Sequence, residues 1–251
     1  MQTESEPIAT KSSLQADRGE TRASIAIADV TFGYEDRTFG LHIPHLAIHP
    51  GEKIALVGAS GGGKTTLLHL LSGILTPNSG SIRVEDLDLA QLSEAERRRY
   101  RISSVGFVFQ NFELVEYLNV LDNILHPYRL NPALKLDKRV RSRAAELAMQ
   151  MGIQDKLKRN IQKLSQGEKQ RVAICRALLP QPRIILADEA TGNLDPANKR
   201  RILKILFEYV ETHQSCLVAA THDHELLPDF DRAIDLETFH ADLSALNVRS
   251  R

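Results

Sequence analysis

The chain has 251 residues, in which 32 Lys and Arg are balanced by 32 Asp and Glu, so the formal net charge is zero. This length is sufficient to bury a hydrophobic core, in one large domain or two smaller ones. The charge balance gives no overall positive field, which argues against nucleic acid or an anionic membrane surface as a direct partner.

The N-terminal 23 residues are polar and mixed in charge, and they lack the apolar stretch of a signal peptide, so we expect a flexible tail. No apolar run approaches the roughly 18–20 residues that are needed to cross a bilayer. A role at a membrane would therefore depend on another chain. The two cysteines, Cys175 and Cys216, lie in apolar segments without metal-ligand spacing, which predicts buried thiols in a reducing, intracellular compartment.

The first half of the chain alternates short apolar runs with turns. Ile25 and Ile27 alternate with small residues, and residues 45–58 predict two strands joined at Pro50 and Gly51. The second of these strands is apolar on both faces, which is typical of a central strand. Further elements are a helix after the glycines that ends near Pro77, a strand, a charged helix with a capping box and a buried strand, at residues 64–75, 81–87, 93–101 and 105–110.

Between Asn111 and Arg159 the pattern becomes helical, which predicts an inserted helical subdomain. After residue 171 strand and helix patterns alternate again, at residues 184–189, 198–211, 215–221 and 232–238. Alternation of this kind predicts an α/β fold with a mostly parallel sheet that is covered by helices.

The stretch GASGGGKTT matches G-x-x-x-x-G-K-[ST] between a predicted strand and a predicted helix, which is the context of a phosphate-binding loop. Glycines allow successive backbone N–H groups to surround phosphate oxygens at the positive end of the helix. Lys64 would reach the β- and γ-phosphates, and Thr65 would offer its hydroxyl to Mg²⁺. The alternative is an ordinary glycine-rich turn. The predicted phosphate-binding residues are Gly58, Ala59, Ser60, Gly61, Gly62, Gly63, Lys64, Thr65 and Thr66.

A second site element is RIILADE, a buried strand that ends in Asp188 and Glu189. Ligands of doubly wound sheets bind at the carboxyl ends of the strands. Asp188 could hold Mg²⁺ through water, and Glu189 could accept a proton from an attacking water. The alternative is that the paired acids merely end a strand.

Five motifs occur in the order seen in the ATP-binding subunits of ABC transporters, which the chain resembles from about Ser24 to Leu236. The resemblance implies a RecA-like P-loop NTPase core, an N-terminal antiparallel β subdomain and an inserted helical subdomain. It places the ATP-binding domain at 24–240, the helical subdomain at about 111–170 and tails at 1–23 and 241–251. The motifs are GASGGGKTT, Gln110 closing VGFVFQ, LSQGEKQR, ILADEATGNLD and His222 in AATHD.

In this family LSQGE is the signature motif, which completes the ATP site of the other subunit. The resemblance assigns Ser165, Gly167 and Glu168 to that contact and implies a homodimer that sandwiches two ATP molecules. The same residues also match a capping box, and both interpretations can hold together. The chain departs from the commoner LSGGQ at Gln166 and Glu168, which leaves the strength of the contact across the dimer open.

Other roles follow from the same resemblance. Tyr34 would stack on adenine, with simple packing as the alternative. Gln110 would link Mg²⁺ and the attacking water to the membrane partner, and Asp195 would communicate across the dimer. His222 would contact the γ-phosphate and position Glu189. Ala190 replaces the proline usual after the catalytic acid, which we expect to loosen that turn.

Two further patterns have simpler explanations. His222, Asp223 and His224 suggest a metal site, but no cysteine or other ligand cluster lies nearby in sequence. The basic runs at 97–101 and 138–143 are interpreted as solvated helix faces rather than nucleic-acid contacts.

Residues 98–130 and DEATGNLD resemble the branch that contains lipoprotein-releasing and macrolide- or peptide-exporter ATPases. The implied function is an ATPase on the cytoplasmic face of the inner membrane, which drives export through a separate transmembrane permease. Phe112, Leu114 and Tyr117 are candidates for the permease groove, with core packing as the alternative. A soluble ATPase for iron–sulfur cluster assembly remains the main rival, and a DNA-repair ATPase would require a long coiled coil that the sequence lacks.

Overall fold

The computed structural model of the chain describes residues 23–34, 39–131, 134–190, 192 and 195–241. The predicted tails therefore lie outside the described residues, apart from residues 23 and 241. Within these residues, four short 3-10 helices occur at Gln154–Lys156, Ile161–Lys163, His224–Asp229 and Leu236–Phe239. The strands and α-helices are, in chain order, β1 (Ile25–Gly33), β2 (Gly40–Ile48), β3 (Lys53–Val57), α1 (Lys64–Leu71), β4 (Ser79–Val84), β5 (Leu87–Asp88), α2 (Glu94–Ser104), β6 (Val105–Val108), α3 (Val120–Ile124), α4 (His126–Leu130), α5 (Lys138–Gln150), α6 (Gln166–Leu178), β7 (Ile184–Asp188), α7 (Pro196–His213), β8 (Cys216–Ala220) and β9 (Arg232–Asp235).

A five-stranded sheet forms the centre of the fold, in the order β6-β7-β8-β3-β9, and each of its pairs is parallel. Every residue of β7 and β8 is buried, because parallel sheets are covered by helices on both faces. The predicted α/β P-loop NTPase fold is confirmed. Because the strands are parallel, the segments that follow β3, β6, β7 and β8 all leave from one edge of the sheet, where the predicted motifs lie.

A second, antiparallel sheet has the order β2-β1-β4-β5. Its register pairs Ile25 with Ile48 and Ile27 with Leu46. These side chains are buried in a cluster that also contains residues of α1 and β3. The two strands predicted around Pro50 and Gly51 both form, but they belong to different sheets. The antiparallel sheet therefore packs directly against the elements that carry the phosphate loop.

The segment between β6 and β7 is helical, as predicted. Among its described residues, the only β pairing is an isolated bridge between Asn119 and Asn160. Helix α5 is capped at its N-terminus by Asp137, whose side chain accepts a hydrogen bond from the Val140 N–H, and it buries Val140, Ala144 and Ala148 at helical spacing. Among the described helices, none is both long and apolar enough to cross a membrane.

Two helix ends add detail to the predictions. Helix α2 has the predicted capping box, in which Ser93 and Glu96 satisfy each other's backbone N–H groups. Helix α1 ends at Leu71, six residues before Pro77, so the predicted helix was too long at its C-terminal end. A turn at Gly73, with a φ of 67°, directs the chain away from the helix axis before the proline is reached.

Candidate functional site

The phosphate loop, residues 58–66, connects β3 to α1. The N-cap residue of helix α1 is Gly63, which has a φ of 90° and provides no side-chain cap for the helix. A Cβ atom at this position would lie 2.5 Å from Cζ of Phe39, so both the backbone conformation and the packing require glycine. Without a side-chain cap, the first N–H groups of α1 are suited to bind an anion at the positive end of the helix.

Lys64 carries its ammonium group back over the loop. Its Nζ donates hydrogen bonds to the carbonyl oxygens of Gly58 at 2.7 Å and of Ala59 at 2.9 Å. Lys64 is nevertheless buried, so its charge lies in a region of reduced solvent screening. A phosphate that enters the loop would form charge-assisted hydrogen bonds with this group, which are stronger than its bonds to neutral carbonyls.

Thr65 and Asp188 join the loop to the carboxyl end of β7. The Thr65 hydroxyl donates a hydrogen bond to Asp188 Oδ2 at 2.8 Å. Burial raises the pKa of the Asp188 carboxyl above its ordinary value and the charge of Glu189 adds to this effect, while the bond from Thr65 opposes it. A hydroxyl and a carboxylate side by side are the hard oxygen donors that Mg²⁺ prefers.

The three predicted catalytic residues meet at the carboxyl ends of neighbouring strands. Gln110 follows β6, Glu189 follows β7 and His222 follows β8. The Gln110 amide donates to Glu189 Oε2 at 3.3 Å, and His222 Nε2 lies 2.8 Å from the same oxygen. The carboxylate of Glu189 is thus oriented from both sides, beside the pair formed by Thr65 and Asp188.

Glu189 has a φ of 51°, which is unusual for a residue other than glycine. Its carbonyl accepts a hydrogen bond from the Gly192 N–H at 3.0 Å, which closes a turn. A proline at position 190 would disfavour helical conformations at residue 189, whereas Ala190 imposes no such restriction. The expectation that Ala190 loosens this turn stays a prediction. Strained backbone of this kind is often found at functional sites.

Tyr34 lies beside the loop, where its hydroxyl is 3.1 Å from Thr66 Oγ1. Its ring contacts Phe32 edge to face and remains partly exposed, so stacking on adenine stays a prediction. Two further loop contacts were not predicted from the sequence. The Ala59 N–H donates to Glu237 Oε1 at 3.2 Å, and His240 Nε2 lies 3.1 Å from the Gly62 carbonyl oxygen. No local motif marks these residues.

The signature residues lie at the start of α6, in the helical part of the chain. The Glu168 N–H donates to Ser165 Oγ at 3.3 Å, and Glu168 Oε2 accepts a hydrogen bond from the Ser165 N–H at 2.8 Å. This is the predicted capping box. Lys156 Nζ lies 4.0 Å from Glu168 Oε1. Gly167 is the second residue of helix α6. The three signature residues therefore lie together at the start of this helix, at a place distinct from the phosphate loop.

Asp195 and Asp223 have local partners. Asp195 caps α7 by accepting a hydrogen bond from the Asn198 N–H, so its role across the dimer remains a prediction. Asp223, the middle residue of the suggested metal triplet, pairs with Lys199 at 2.7 Å. Within the part of the chain that the structure describes, no group of three or more His, Cys, Asp or Glu side chains is arranged to hold a metal ion.

The three candidates for the permease groove separate in the structure. Phe112 is buried, which corrects the prediction for this residue. Leu114 is half-buried against the main core cluster and stays a candidate, and Tyr117 is exposed. An apolar groove of about 270 Å³ lies nearby instead, between the parallel sheet and the helical segment. Its lining includes Ile74, Ile102, Phe107, Phe109, Pro127 and Leu130.

Named proteins of other organisms are similar in sequence to most of this chain. A protein of Caulobacter vibrioides, named lipoprotein-releasing system ATP-binding protein LolD 2, is 38% identical over 198 residues, which cover 79% of this chain and 86% of that protein. The LolD protein of Coxiella burnetii is 38% identical over 197 residues, which cover 78% of this chain and 84% of that protein.

Solved structures of ABC proteins are also similar to this chain. The dimeric ATP-binding cassette MJ0796, in a post-hydrolysis state bound to ADP and Pi, has a TM-score of 0.77 and 29% identity, covering 84% of this chain and 93% of its own. The protein cbiO1 of Clostridium perfringens, described as part of the ABC transporter complex cbiONQ, has a TM-score of 0.74 and 29% identity, covering 85% and 84%. The profile of the ABC transporter family also matches residues 41–192, and the chain therefore belongs to the ABC transporter family.

Proposed function

We propose that this chain binds and hydrolyses ATP to drive a membrane ABC transporter of the lipoprotein-releasing kind. The observation that carries the proposal is the convergence of Gln110, Glu189 and His222 beside a complete phosphate loop. The relatives named for lipoprotein release support the type of transport.

ATP binding is assigned to the phosphate loop. The uncapped N–H groups of α1 and the neighbouring loop N–H groups would surround the phosphates, while Lys64 would exchange its carbonyl partners for β- and γ-phosphate oxygens. The partly exposed ring of Tyr34 would cover the adenine. The binding energy of these contacts would hold the γ-phosphate near Glu189.

The residues present fit one Mg²⁺ ion, which Thr65 and Asp188 would hold together with phosphate oxygens, with Gln110 beside them. When bound, the ion would neutralise charge that develops on the phosphates. Asp188 is suited to this role because a buried carboxylate is stabilised by a partner of opposite charge.

Glu189 is the proposed general base. It would accept a proton from a water molecule whose oxygen attacks the γ-phosphorus, while the bond between that phosphorus and the ADP oxygen breaks. Gln110 and His222 both contact Oε2 of Glu189, so they would orient the carboxylate towards this water. His222 would also contact the γ-phosphate. The site needs these groups held in a fixed arrangement, and the ends of β6, β7 and β8 supply it.

The second half of each ATP site is assigned to a partner copy. Ser165, Gly167 and Glu168 would face the γ-phosphate that is bound by the other subunit, so two chains would enclose two ATP molecules about a two-fold axis. The dimeric state of the related cassette MJ0796 supports this arrangement.

The permease would contact the apolar groove beside Gln110 from the cytoplasmic face of the inner membrane. Two observations favour this surface: its lining is mainly apolar, and Phe109, which lies in it, immediately precedes Gln110 in sequence. Exposed Tyr117 would extend the same contact. The reported relatives are named for lipoprotein release or transport, and they give no support to iron–sulfur cluster assembly.

The decisive experiment measures the molar mass of Glu189→Gln by light scattering, with and without ATP and Mg²⁺. Glutamine cannot accept the proton, so ATPase activity should fall at least about 100-fold while nucleotide binding persists. The slowed variant should shift from monomer to dimer only with ATP, and adding Ser165→Arg should abolish the shift. A Glu189→Gln protein that binds ATP and stays monomeric at high concentration would contradict the shared site.

A further inference from the structure

The chain continues from β9 into a short segment that runs along the phosphate loop. We call residues 235–241 the C-terminal clamp. The Ala241 N–H donates to the Gly40 carbonyl oxygen at 3.1 Å, and His240 forms an antiparallel bridge with Leu41, so the segment is attached to β2. The ring of His240 also packs edge to face against Phe39, the residue that contacts Gly63.

Two side chains of the clamp bond the backbone of the loop. Glu237 Oε1 accepts a hydrogen bond from the Ala59 N–H at 3.2 Å. His240 Nε2 lies 3.1 Å from the carbonyl oxygen of Gly62, and because a carbonyl can only accept, the Nε2–H group must be the donor. Within the clamp, Asp235 Oδ1 accepts from the Glu237 N–H at 3.0 Å, which fixes the turn that presents Glu237.

Each of these bonds fixes the direction of a whole peptide group. The C=O and N–H of a planar trans peptide point in opposite directions. Because Glu237 holds the Ala59 N–H towards the clamp, the Gly58 carbonyl of the same peptide faces away, where it accepts from Lys64 Nζ at 2.7 Å. By the same geometry, His240 holds the Gly62 carbonyl outwards, which directs the Gly63 N–H towards the interior of the loop.

Such support matters because the loop itself is conformationally loose. Four of its first six residues are glycines, namely Gly58, Gly61, Gly62 and Gly63, and all but Gly62 have a positive φ. Glycine loses more conformational freedom on ordering than any other residue. External hydrogen bonds that hold the peptides in place before the ligand arrives reduce the entropy that binding must overcome.

We propose that Glu237 and His240 are positioning residues that hold the phosphate loop in the shape that receives nucleotide phosphates. The inference rests on nucleotide binding at this loop, as proposed above. It assigns a function to a segment 178 residues downstream of the loop positions it contacts. Glu237 acts here as a hydrogen-bond acceptor, and its negative charge is not required.

The test uses substitutions that keep size and change only the hydrogen bond. His240→Phe retains the aromatic packing on Phe39 and removes the donor, whereas His240→Gln keeps an N–H donor. Glu237→Met removes the acceptor at similar size, whereas Glu237→Gln keeps it without the charge. His45→Ala, an exposed histidine on β2, is the control. The measurements are titrations with fluorescent ATP and ADP analogues, steady-state ATPase kinetics, and thermal unfolding without nucleotide.

We expect His240→Phe and Glu237→Met each to weaken the binding of both nucleotides about three- to tenfold, the loss of one net hydrogen bond. KM should rise by a similar factor while kcat at saturating ATP changes little. Both glutamine variants should bind within about twofold of the parent protein, given the same pairing. The midpoint of thermal unfolding without nucleotide should not follow the order of the binding affinities. If the two residues had a merely structural role, the variants that bind poorly would also have lowered midpoints.

Three results would overturn the proposal. Binding by His240→Phe and Glu237→Met that equals the His45→Ala control would show that the clamp does not position the loop. Tighter binding by both Glu237 variants would show that the carboxylate acts by repelling phosphate. Losses that match a lowered unfolding midpoint would assign the residues to stability alone. Lys64→Ala separates these results from failure of the nucleotide site, since the parent protein must bind and Lys64→Ala must not.

Discussion

Two helices of this protein begin beside a glycine, and they begin differently. Helix α1 starts at Gly63, whose left-handed backbone provides no side-chain cap. Helix α6 starts at Ser165, whose hydroxyl and whose backbone N–H both exchange hydrogen bonds with Glu168. Both entrances have the positive end of a helix, but the first leaves its N–H groups for a ligand and the second satisfies part of its own.

This difference matches the origin of the two ligands. The phosphates proposed to bind at α1 would come directly from solution, so an open entrance supported by neighbouring residues is suitable. The phosphate proposed for α6 arrives on another subunit, and until then the capping box keeps the helix end intact in a single chain. The entrance of α6 is therefore stable when empty. The carboxylate of Glu168 there carries charge of the same sign as the phosphate that it would meet.

The largest expected effect comes from removing the cation at the first entrance. Lys64→Ala should weaken ATP binding at least about 100-fold, because a buried ammonium would no longer offset the phosphate charge. Binding of a fluorescent ATP analogue is the measurement. Lys204→Ala, which removes an exposed lysine of α7, is the matched control and should bind normally. Retained binding in Lys64→Ala would contradict the assignment of the phosphates to this loop.

Much of the first entrance could be predicted from the sequence, because its parts are local. The strand, the glycines and Lys64 lie within one short stretch, and parallel strands bring Gln110, Glu189 and His222 to one edge wherever the helices run. The capping boxes of α2 and α6 were predictable for the same reason. Motifs of this kind specify their own neighbourhood.

Other contacts could not be predicted, because they join distant segments without a spacing rule. Glu237 and His240 reach the loop through the path of β9 beside β3 and through the attachment of residues 240–241 to β2. Phe112 and Leu114 were ambiguous because an apolar residue after a strand can fill a core or line a groove. The structure buries Phe112, whose φ is 63°, and Arg176 of α6 bonds its carbonyl oxygen at 2.5 Å.

A smaller effect is expected from the charge at the second entrance. Glu168→Gln keeps an acceptor for the capping box and removes one negative charge that would face the partner's phosphate. In a Glu189→Gln background, the ATP concentration at half-maximal dimer formation should fall about three- to tenfold, and the gain should shrink at high salt. Light scattering during an ATP titration measures both effects.

Glu208→Gln removes an equivalent charge from the exposed face of α7 and serves as the control for Glu168→Gln. Its dimerisation should match that of the Glu189→Gln parent. Weaker dimerisation by Glu168→Gln would indicate that the carboxylate favours the dimer. It would do so, for example, by holding Lys156 of the same chain, whose Nζ lies 4.0 Å from Glu168 Oε1, in a position to contact the partner. The negative charge of Glu168 would then not oppose phosphate binding at the second entrance.

The smallest expected effect comes from replacing the glycine at each of the two helix entrances by alanine. Gly167 lies inside α6 and, unlike Gly63, is absent from the residues with positive φ. Gly167→Ala should therefore raise the free energy of unfolding by about 0.5–1 kcal/mol, while its methyl group hinders the approach of the partner's phosphate and weakens ATP-dependent dimerisation. Gly63→Ala should lower stability and ATP binding together, because its Cβ would meet Phe39 at 2.5 Å. Chemical denaturation and ATP titration measure both pairs of effects. Stability changes of opposite sign would show that the fold requires Gly63. They would also show that Gly167 costs stability and serves a ligand that the single chain does not hold. A destabilised Gly167→Ala would contradict this interpretation.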